Sequence, residues 1–327
     1  MLVTGGAGFI GSNFTRWVLA TSDDEVTVYD ALTYAGNRST LADVEACAPD
    51  RYRFVQADIC DLDALSAAMD GVDAVAHFAA ETHVDRSIAG PVDFVVTNCV
   101  GTNMVCHAAR LAGVERVVHV STDEVYGSVT EDWSLETDPL DPRSPYSASK
   151  AGSDLIALSY WSTYGLPVSV TRSSNNYGPW QYPEKVVPLF VTNLLDGRPV
   201  PLYGDGLNQR DWLYVEDNCA AIDAVLRGGE PGEIYNIGAG TEVTNRALTD
   251  RLLALLGAGP EMVDYVADRP GHDRRYAVDG GKVRALGWQP RHDFADGLAL
   301  TCEWYRSHRW WWEPLAARSA QAAWSAR

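Results

Sequence analysis

Apolar positions along the chain follow two alternating rhythms. Met1–Thr4 is a short apolar run broken by Gly5, and from Phe9 to Ala20 the apolar residues recur at helical spacing, which predicts strand, tight turn and helix. Only four residues precede the turn, so the first strand is short. Val26–Tyr29, Tyr52–Val55, Ala74–Phe78, Val117–Val120 and Val168–Thr171 predict further strands, with segments such as Asp61–Met69 and Val92–Ala112 suited to helices between them. Strands alternating with helices imply an α/β fold built on a doubly wound parallel sheet. Beyond about Tyr177 the alternation fades and Pro179, Pro183, Pro188, Pro199, Pro201, Gly204 and Gly206 punctuate the chain. A large domain over 1–176 and a smaller lobe over 177–327 are therefore expected, with some segments of the second part returning to the first. No repeat, low-complexity stretch or Gly/Ser linker separates them. The run Trp310-Trp311-Trp312 is expected to be surface or interface packing, without chemistry.

Gly5, Gly8 and Gly11 fall between the first strand and the first helix. Missing side chains there permit a tight turn and let a pyrophosphate approach the helix N-terminus. A glycine-rich stretch alone is often only a turn; strand–turn–helix placement is what favours a dinucleotide site. Nineteen residues after Gly11, Asp30 ends the second strand, where a carboxylate accepts hydrogen bonds from ribose hydroxyls and repels a 2′-phosphate, favouring NAD over NADP. Asp58 follows the third strand and either meets the adenine amino group or caps the helix ahead of Asp61.

Composition narrows the ligands. The chain has 327 residues and a formal net charge of −18, from 26 basic and 44 acidic residues, so nucleic acid is not an expected partner. A phosphorylated ligand has to be held by a few local cations and backbone N–H groups. The six cysteines (Cys47, Cys60, Cys99, Cys106, Cys219, Cys302) have neither metal-ligand nor disulfide spacing, so no metal is expected. They suit a reducing cytoplasm, and no apolar run is long enough to span a bilayer.

Tyr146 and Lys150 stand four residues apart in Tyr-Ser-Ala-Ser-Lys and share a face if the segment is helical. An ammonium so placed favours phenolate, which predicts that the Tyr146 hydroxyl titrates below its ordinary value of about 10 and serves as a base. Asp123 and Glu124 follow the central strand at the carboxyl edge of the sheet, where ligands bind in such folds. As a bland alternative they are a polar strand end or a helix cap. Eliminating water, however, needs one carboxylate ionised and its neighbour protonated in a single cleft, and an adjacent Asp-Glu pair can supply both.

With these motifs in view, the chain resembles the extended short-chain dehydrogenases/reductases of Rossmann type, and within them the dTDP-glucose 4,6-dehydratases. The resemblance runs along almost the whole chain through Thr4–Ser12, Leu32–Asn37, Ser121–Gly127, Tyr146–Lys150, Asn175–Pro179, Pro183–Lys185 and Asp268–Ala277. It implies NAD, tightly bound and regenerated each turnover, contacted by Gly5, Gly8, Phe9, Ile10, Gly11, Asp30, Ala31, Leu32, Thr33, Asp58, Ile59, Phe78, Ala79, Ala80, Thr97, Tyr146, Lys150 and Asn176. For the nucleotide sugar it implies Thr82, Thr122, Asn175, Lys185, Val186, Pro201, Leu202, Tyr203, Arg210, Asn245 and the Asp268–His272 stretch with Asp268, Arg269 and His272. Arg210, Lys185 and Arg269 are the implied cations around a diphosphate. The family usually has Ser where Thr82 stands; the hydroxyl is retained and a methyl added.

The implied chemistry makes Thr122 a donor to the 4-oxygen, Tyr146 the base at the 4-hydroxyl, Asp123 the acid and Glu124 the base of an elimination, with Lys150 supporting Tyr146. A 4-epimerase or decarboxylase of the same fold shares the glycine turn, Tyr146 and Lys150 but has no need of adjacent acid and base. A silent NAD-binding sensor needs none of the four catalytic side chains. Thymidine rests on the resemblance alone, with a uridine diphosphate sugar as the alternative. The helices near Val92–Ala112 and Pro145–Tyr164 resemble those through which relatives form homodimers, although periodicity cannot separate such an interface from core.

Overall fold

Seven apolar runs form one all-parallel sheet in the computed structural model, which describes residues 1–269 and 271–325 and the side chains of its last helix as far as residue 318. In chain order the strands are β1 (Leu2–Thr4), β2 (Val26–Asp30), β3 (Tyr52–Gln56), β4 (Ala74–His77), β5 (Arg116–Thr122), β6 (Val168–Ser173), β7 (Asn175–Tyr177), β8 (Val200–Tyr203), β9 (Gln209–Tyr214), β10 (Ile234–Ile237), β11 (Glu242–Thr244) and β12 (Val263–Val266). The large sheet has the order β10-β6-β5-β4-β1-β2-β3. Chain direction reverses its progress across the sheet between β1 and β4, and a crevice opens there at the carboxyl ends of the strands. The five strand segments expected after the first are all present, with bounds shifted by one or two residues. β5 runs on to Thr122, so Asp123 opens the 3₁₀ turn Asp123–Tyr126 directly at the strand end.

The helix carrying Tyr146 and Lys150, Pro145–Tyr164, is strongly specified at both ends. Ser144 and Ser147 form a reciprocal capping box, Pro145 takes the first position where its missing N–H costs nothing, and Gly165 closes the C-terminus in the left-handed conformation at φ 72°. The segment Val92–Ala112 is less regular than expected. It comprises Pro91–Val95, a π-helical stretch Val96–Gly101 and Thr102–Ala112.

Past Tyr177 the chain does not stay in one lobe. Helix Val215–Gly228 packs against the first helix, Phe9–Thr21, and β10 pairs with β6 at the edge of the large sheet. The smaller lobe holds a three-stranded sheet (β11-β9-β7), the β12-β8 pair and an aromatic core that includes Tyr177, Phe190, Trp212 and Phe294. Trp311 and Trp312 belong to that core, at 3% and 0% exposure, whereas Trp310 is exposed. The expectation of surface packing for this run is thus corrected at two of its three residues. Trp312 donates its indole N–H to the Tyr305 carbonyl and Trp311 donates to Thr40 Oγ1, so each polar edge has a partner inside. No helix among the described residues is long and apolar enough to cross a membrane.

Candidate active site

The crevice at the sheet's reversal point is a cleft of about 300 Å³. The glycine turn forms its floor. Gly5 has φ 69°, and a Cβ there would stand 2.5 Å from the Ala79 nitrogen, while a Cβ on Gly11 would stand 2.4 Å from the Gly5 carbonyl oxygen. Both positions need glycine, for backbone conformation at one and close packing at the other. Asp30 is buried with its carboxylate aimed back into the turn, accepting from the backbone N–H of Ala7 at 2.9 Å and of Leu32 at 2.8 Å. Burial raises its pKa and those two donors oppose the shift.

Gly5, Gly8, Phe9, Ile10, Gly11, Asp30, Ala31, Thr33, Asp58, Ile59, Phe78, Ala79, Ala80, Thr97, Tyr146, Lys150 and Asn176, all expected at the dinucleotide, line this one cleft. Leu32 does not. It stands at φ 55°, strained for a non-glycine residue, and its side chain packs against the core. The capping alternative for Asp58 falls to Asp61, which accepts from Ala64 N–H at the start of helix Leu62–Ala68, while the Asp58 side chain accepts from Cys60 N–H. Glycines that a Cβ would wreck, an acceptor at the end of β2 and polar groups facing the space above them suit a dinucleotide.

The other end of the cleft holds Thr122, Asp123, Glu124, Tyr146 and Lys150 with Thr82, Asn175 and Lys185. Thr122 Oγ1 accepts from Glu124 N–H and donates to Asp123 Oδ1, both at 3.3 Å. Asp123 is 3% exposed, and its other oxygen has no hydrogen-bond partner among the described residues. Buried unpartnered oxygens also occur on Ser121, Ser174, Asn175 and Asn176 around the same space. Unsatisfied buried polar atoms are costly, and their convergence on one cleft marks a place built for a polar ligand.

The two carboxylates are separated electrostatically. Burial pushes the Asp123 pKa well above the usual carboxylate range, and the neighbouring Glu124 charge pushes it further. Glu124 is also raised by burial, but Arg210, Arg269 and Lys185 all draw it back. Such a pair holds its proton on Asp123 and its charge on Glu124.

The expected lowering of the Tyr146 phenol is not what this pocket produces. Burial pushes Tyr146 well above its ordinary value, the Glu124 charge adds to this, and the Thr122 hydroxyl opposes it. Phenolate is expensive in a desolvated site, and Lys150 turns its ammonium to the Val120 carbonyl at 2.8 Å. Lys150 itself is driven down by burial to about 8.

The remaining expected ligand residues divide into groups. Lys185 donates to the Thr82 carbonyl at 2.8 Å, joining two cleft residues from distant segments. Arg210 is buried, donates to the carbonyls of Gln209 and Asp273, and lies 4.3 Å over the Tyr276 ring, with no carboxylate among the described residues bonded to it. Tyr203, Asp268, Arg269 and His272 gather beside it on the smaller lobe: Asp268 and His272 bond at 2.6 Å, the Tyr203 and His272 rings meet edge-on, and Arg269 reaches Asp85 at 3.3 Å. Val186, Pro201, Leu202 and Asn245 are not among the cleft's lining residues, and the Leu202 side chain is buried. Pro270, within the Asp268–His272 stretch, lies outside the described residues.

Sequence reasoning missed Tyr34, Glu81, Gln181, Tyr182 and Glu184 in the cleft wall. Arg86 ties several of them together, standing 3.8 Å over the Tyr34 ring and 3.2 Å from Glu184. Tyr34 and Glu184 fall inside the Leu32–Asn37 and Pro183–Lys185 motifs, so their positions were flagged although their side chains were not.

Sheet order, glycine turn and the Thr-Tyr-Lys constellation define a dinucleotide-dependent enzyme of the short-chain dehydrogenase/reductase class. More narrowly, the family model described as GDP-mannose 4,6 dehydratase matches residues 2–301, and the chain belongs to that family. It is 56% identical to a dTDP-glucose 4,6-dehydratase of Streptomyces antibioticus, over 99% of this chain and 97% of the relative. Against the dTDP-glucose 4,6-dehydratase of Streptomyces niveus it is 54% identical, over 96% and 95%. Among solved structures it is similar to the dTDP-glucose 4,6-dehydratase DesIV of Streptomyces venezuelae with NAD and dTDP bound, at TM-score 0.94 and 59% identity, covering 96% of this chain and 99% of that one.

Proposed function

We propose that this chain is an NAD-dependent dTDP-glucose 4,6-dehydratase, a hydro-lyase that converts dTDP-glucose to dTDP-4-keto-6-deoxyglucose and water in deoxysugar biosynthesis. The observation that carries the reading is the Asp123-Glu124 pair, adjacent in sequence, facing one cleft and pushed apart in proton affinity. An epimerase or decarboxylase has no use for that pair.

Tyr146 takes the 4-hydroxyl proton as a phenolate and becomes a neutral phenol while Thr122 donates to the same oxygen; the Lys150 ammonium and the positive charge of a bound oxidised nicotinamide would favour that phenolate against the burial that raises it. NAD held over Gly5, Gly8, Gly11 and beside Asp30 would supply the hydride chemistry, as acceptor from C4 and donor to C6. With C4 a ketone, the C5 proton is acidic. Glu124 removes it, and Asp123 gives a proton to the departing 6-hydroxyl so that water leaves. The proton taken from O4 balances the one given at O6, and C5 is reprotonated through Glu124. Asp30 favours NAD over its 2′-phosphorylated form, and Lys185, Arg210 and Arg269 neutralise the diphosphate.

In this scheme the part up to about residue 176 holds NAD and the reacting groups, and the later part mainly holds the nucleotide. We also propose a cytoplasmic homodimer. Exposed Val92, Val95, Val96 and Val100 and, on the neighbouring helix, Leu155 form an apolar face suited to a second copy.

Substrate carrying deuterium at C4 is expected to give product with the label at C6 and solvent hydrogen at C5, with dTDP-glucose turned over faster than UDP-glucose. Loss of label to solvent or to free NADH would overturn the reaction assigned. Faster turnover of UDP-glucose would overturn only the nucleotide.

A further inference from the structure

Behind Lys150 lies a buried set of charges that the scheme above does not use. Asp154 follows Lys150 by one helical turn, as Lys150 follows Tyr146. It is 0% exposed. Arg172 on β6 donates to Asp154 Oδ2 at 2.9 Å, and His119 Nε2 on β5 stands 3.4 Å from Oδ1. Arg172 is also buried and lies 4.7 Å over the ring of Tyr126, the last residue of the turn that carries Asp123 and Glu124. Tyr126 is held in place by donating to Asn236 at 2.8 Å.

The charges facing Lys150 come from every side. Asp154 lies on its own helix, with Tyr146 a turn before. His119 faces it from β5, His77 from β4 and Cys99 from the π-helical stretch. Burial lowers both histidines, and the nearby Lys150 ammonium lowers them further, so they stay neutral. Cys99 is raised by burial and stays a thiol. What remains is two buried cations, Lys150 and Arg172, and one carboxylate. If that carboxylate is lost, the group that gives way is Lys150, because a guanidinium keeps its proton under any ordinary condition whereas a buried lysine sheds one readily.

We propose that Asp154 is a positioning residue for the first proton transfer: a buried anion, held by the Arg172 guanidinium with His119 3.4 Å away, that keeps the Lys150 ammonium charged and seated on the Val120 carbonyl beside Tyr146. This rests on the dehydratase reading for its catalytic consequence, but not for its physical content, which is the protonation of Lys150.

The chain has three lysines, Lys150, Lys185 and Lys282, so the protein with ¹³C-labelled lysine side chains gives few enough signals to follow each, with Lys150 assigned by its loss in Lys150→Arg. In the unaltered protein Lys150 titrates near 8. In Asp154→Asn its midpoint falls, a roughly tenfold or greater loss of proton affinity, and Asp154→Glu restores it. The basic limb of the pH profile for cofactor reduction on mixing with dTDP-glucose moves to lower pH in step. Should Asp154→Asn not fold, the pair Asp154→Asn/Arg172→Gln removes both charges and leaves matching polar shapes, with a smaller lowering of the Lys150 midpoint expected because a neighbouring cation goes with the anion. An unmoved Lys150 midpoint in the folded variant overturns the proposal, even if the variant is less stable. A moved midpoint in Asp154→Asn, where the unaltered protein makes no product from dTDP-glucose, supports the role of Asp154 and overturns the dehydratase reading instead.

Discussion

In the proposed mechanism Asp123 and Glu124 are neighbouring carboxylates with different tasks. Both are raised by burial, but three cations reach Glu124, whereas Asp123 also feels the Glu124 charge. The proposed elimination therefore has two limbs in pH. It falls on the acid side as Glu124 takes a proton, and on the basic side as pH passes the raised Asp123 value and the acid is lost. The two groups titrate as a coupled pair. Stability follows the same sign. A carboxyl raised in the folded state contributes stability below its unfolded value of about 3.9 and loses it as pH rises through the folded value. Asp123→Asn is accordingly expected to raise the melting temperature at neutral pH, with the difference vanishing in acid, while product formation falls. Glu124→Gln is expected to reduce bound NAD on adding substrate yet stall before elimination, lowering turnover by roughly 10²–10⁴-fold, whereas Tyr146→Phe blocks reduction itself. Absorbance near the reduced-nicotinamide band, read in a single turnover, separates the two.

At the scale of elements, the C-terminal helix Arg309–Ser325 acts as a brace between lobes. Trp311 packs against Trp180 and Trp304 and donates to Thr40, which lies just beyond the loop after β2 that lines the cleft. Arg16, on the helix that follows the glycine turn, lies 4.5 Å over Trp180 and is bonded to the Thr40 carbonyl and to Asp43. Trp180 stands at φ 68°, held there by these contacts, two residues before the cleft-lining Tyr182. Trp311→Ala is expected to cost about 3–5 kcal/mol in urea unfolding, as a large core truncation does. Trp311→Phe keeps most of the ring and loses the donor to Thr40, for roughly 1 kcal/mol. Equal costs for the two would show that Thr40 contributes nothing. From the sequence, three consecutive tryptophans cannot be sorted into core and surface, because their burial depends on Trp180 and Thr40, more than a hundred residues away.

For the whole molecule, a net charge of −18 is reconciled with an anionic ligand by bringing cations from separate segments to one place: Lys185 from the cleft wall, Arg210 from β9 and Arg269 from the loop after β12 all act on Glu124. The proposed dimer face is testable at this scale. Leu155→Arg, which charges an exposed apolar residue, is expected to halve the mass read by light scattering while leaving the helical circular dichroism intact. An unchanged mass would place the interface elsewhere or show a monomer. Much of this protein was legible in its sequence. The strand–helix alternation, the glycine turn, Asp30, the Asp123-Glu124 pair and the Tyr146–Lys150 spacing are local patterns, and local sterics and periodicity determine them. Tertiary structure alone decided that Leu32 faces the core, that Trp311 and Trp312 are buried, and that Tyr34 and Glu184 line the cleft with Arg86. It also decided that Tyr146 is raised and not lowered, and that Asp154 stands behind Lys150 with Arg172. These outcomes depend on desolvation and on charges contributed by strands far apart in the chain, and neither quantity exists until the sheet has brought them together.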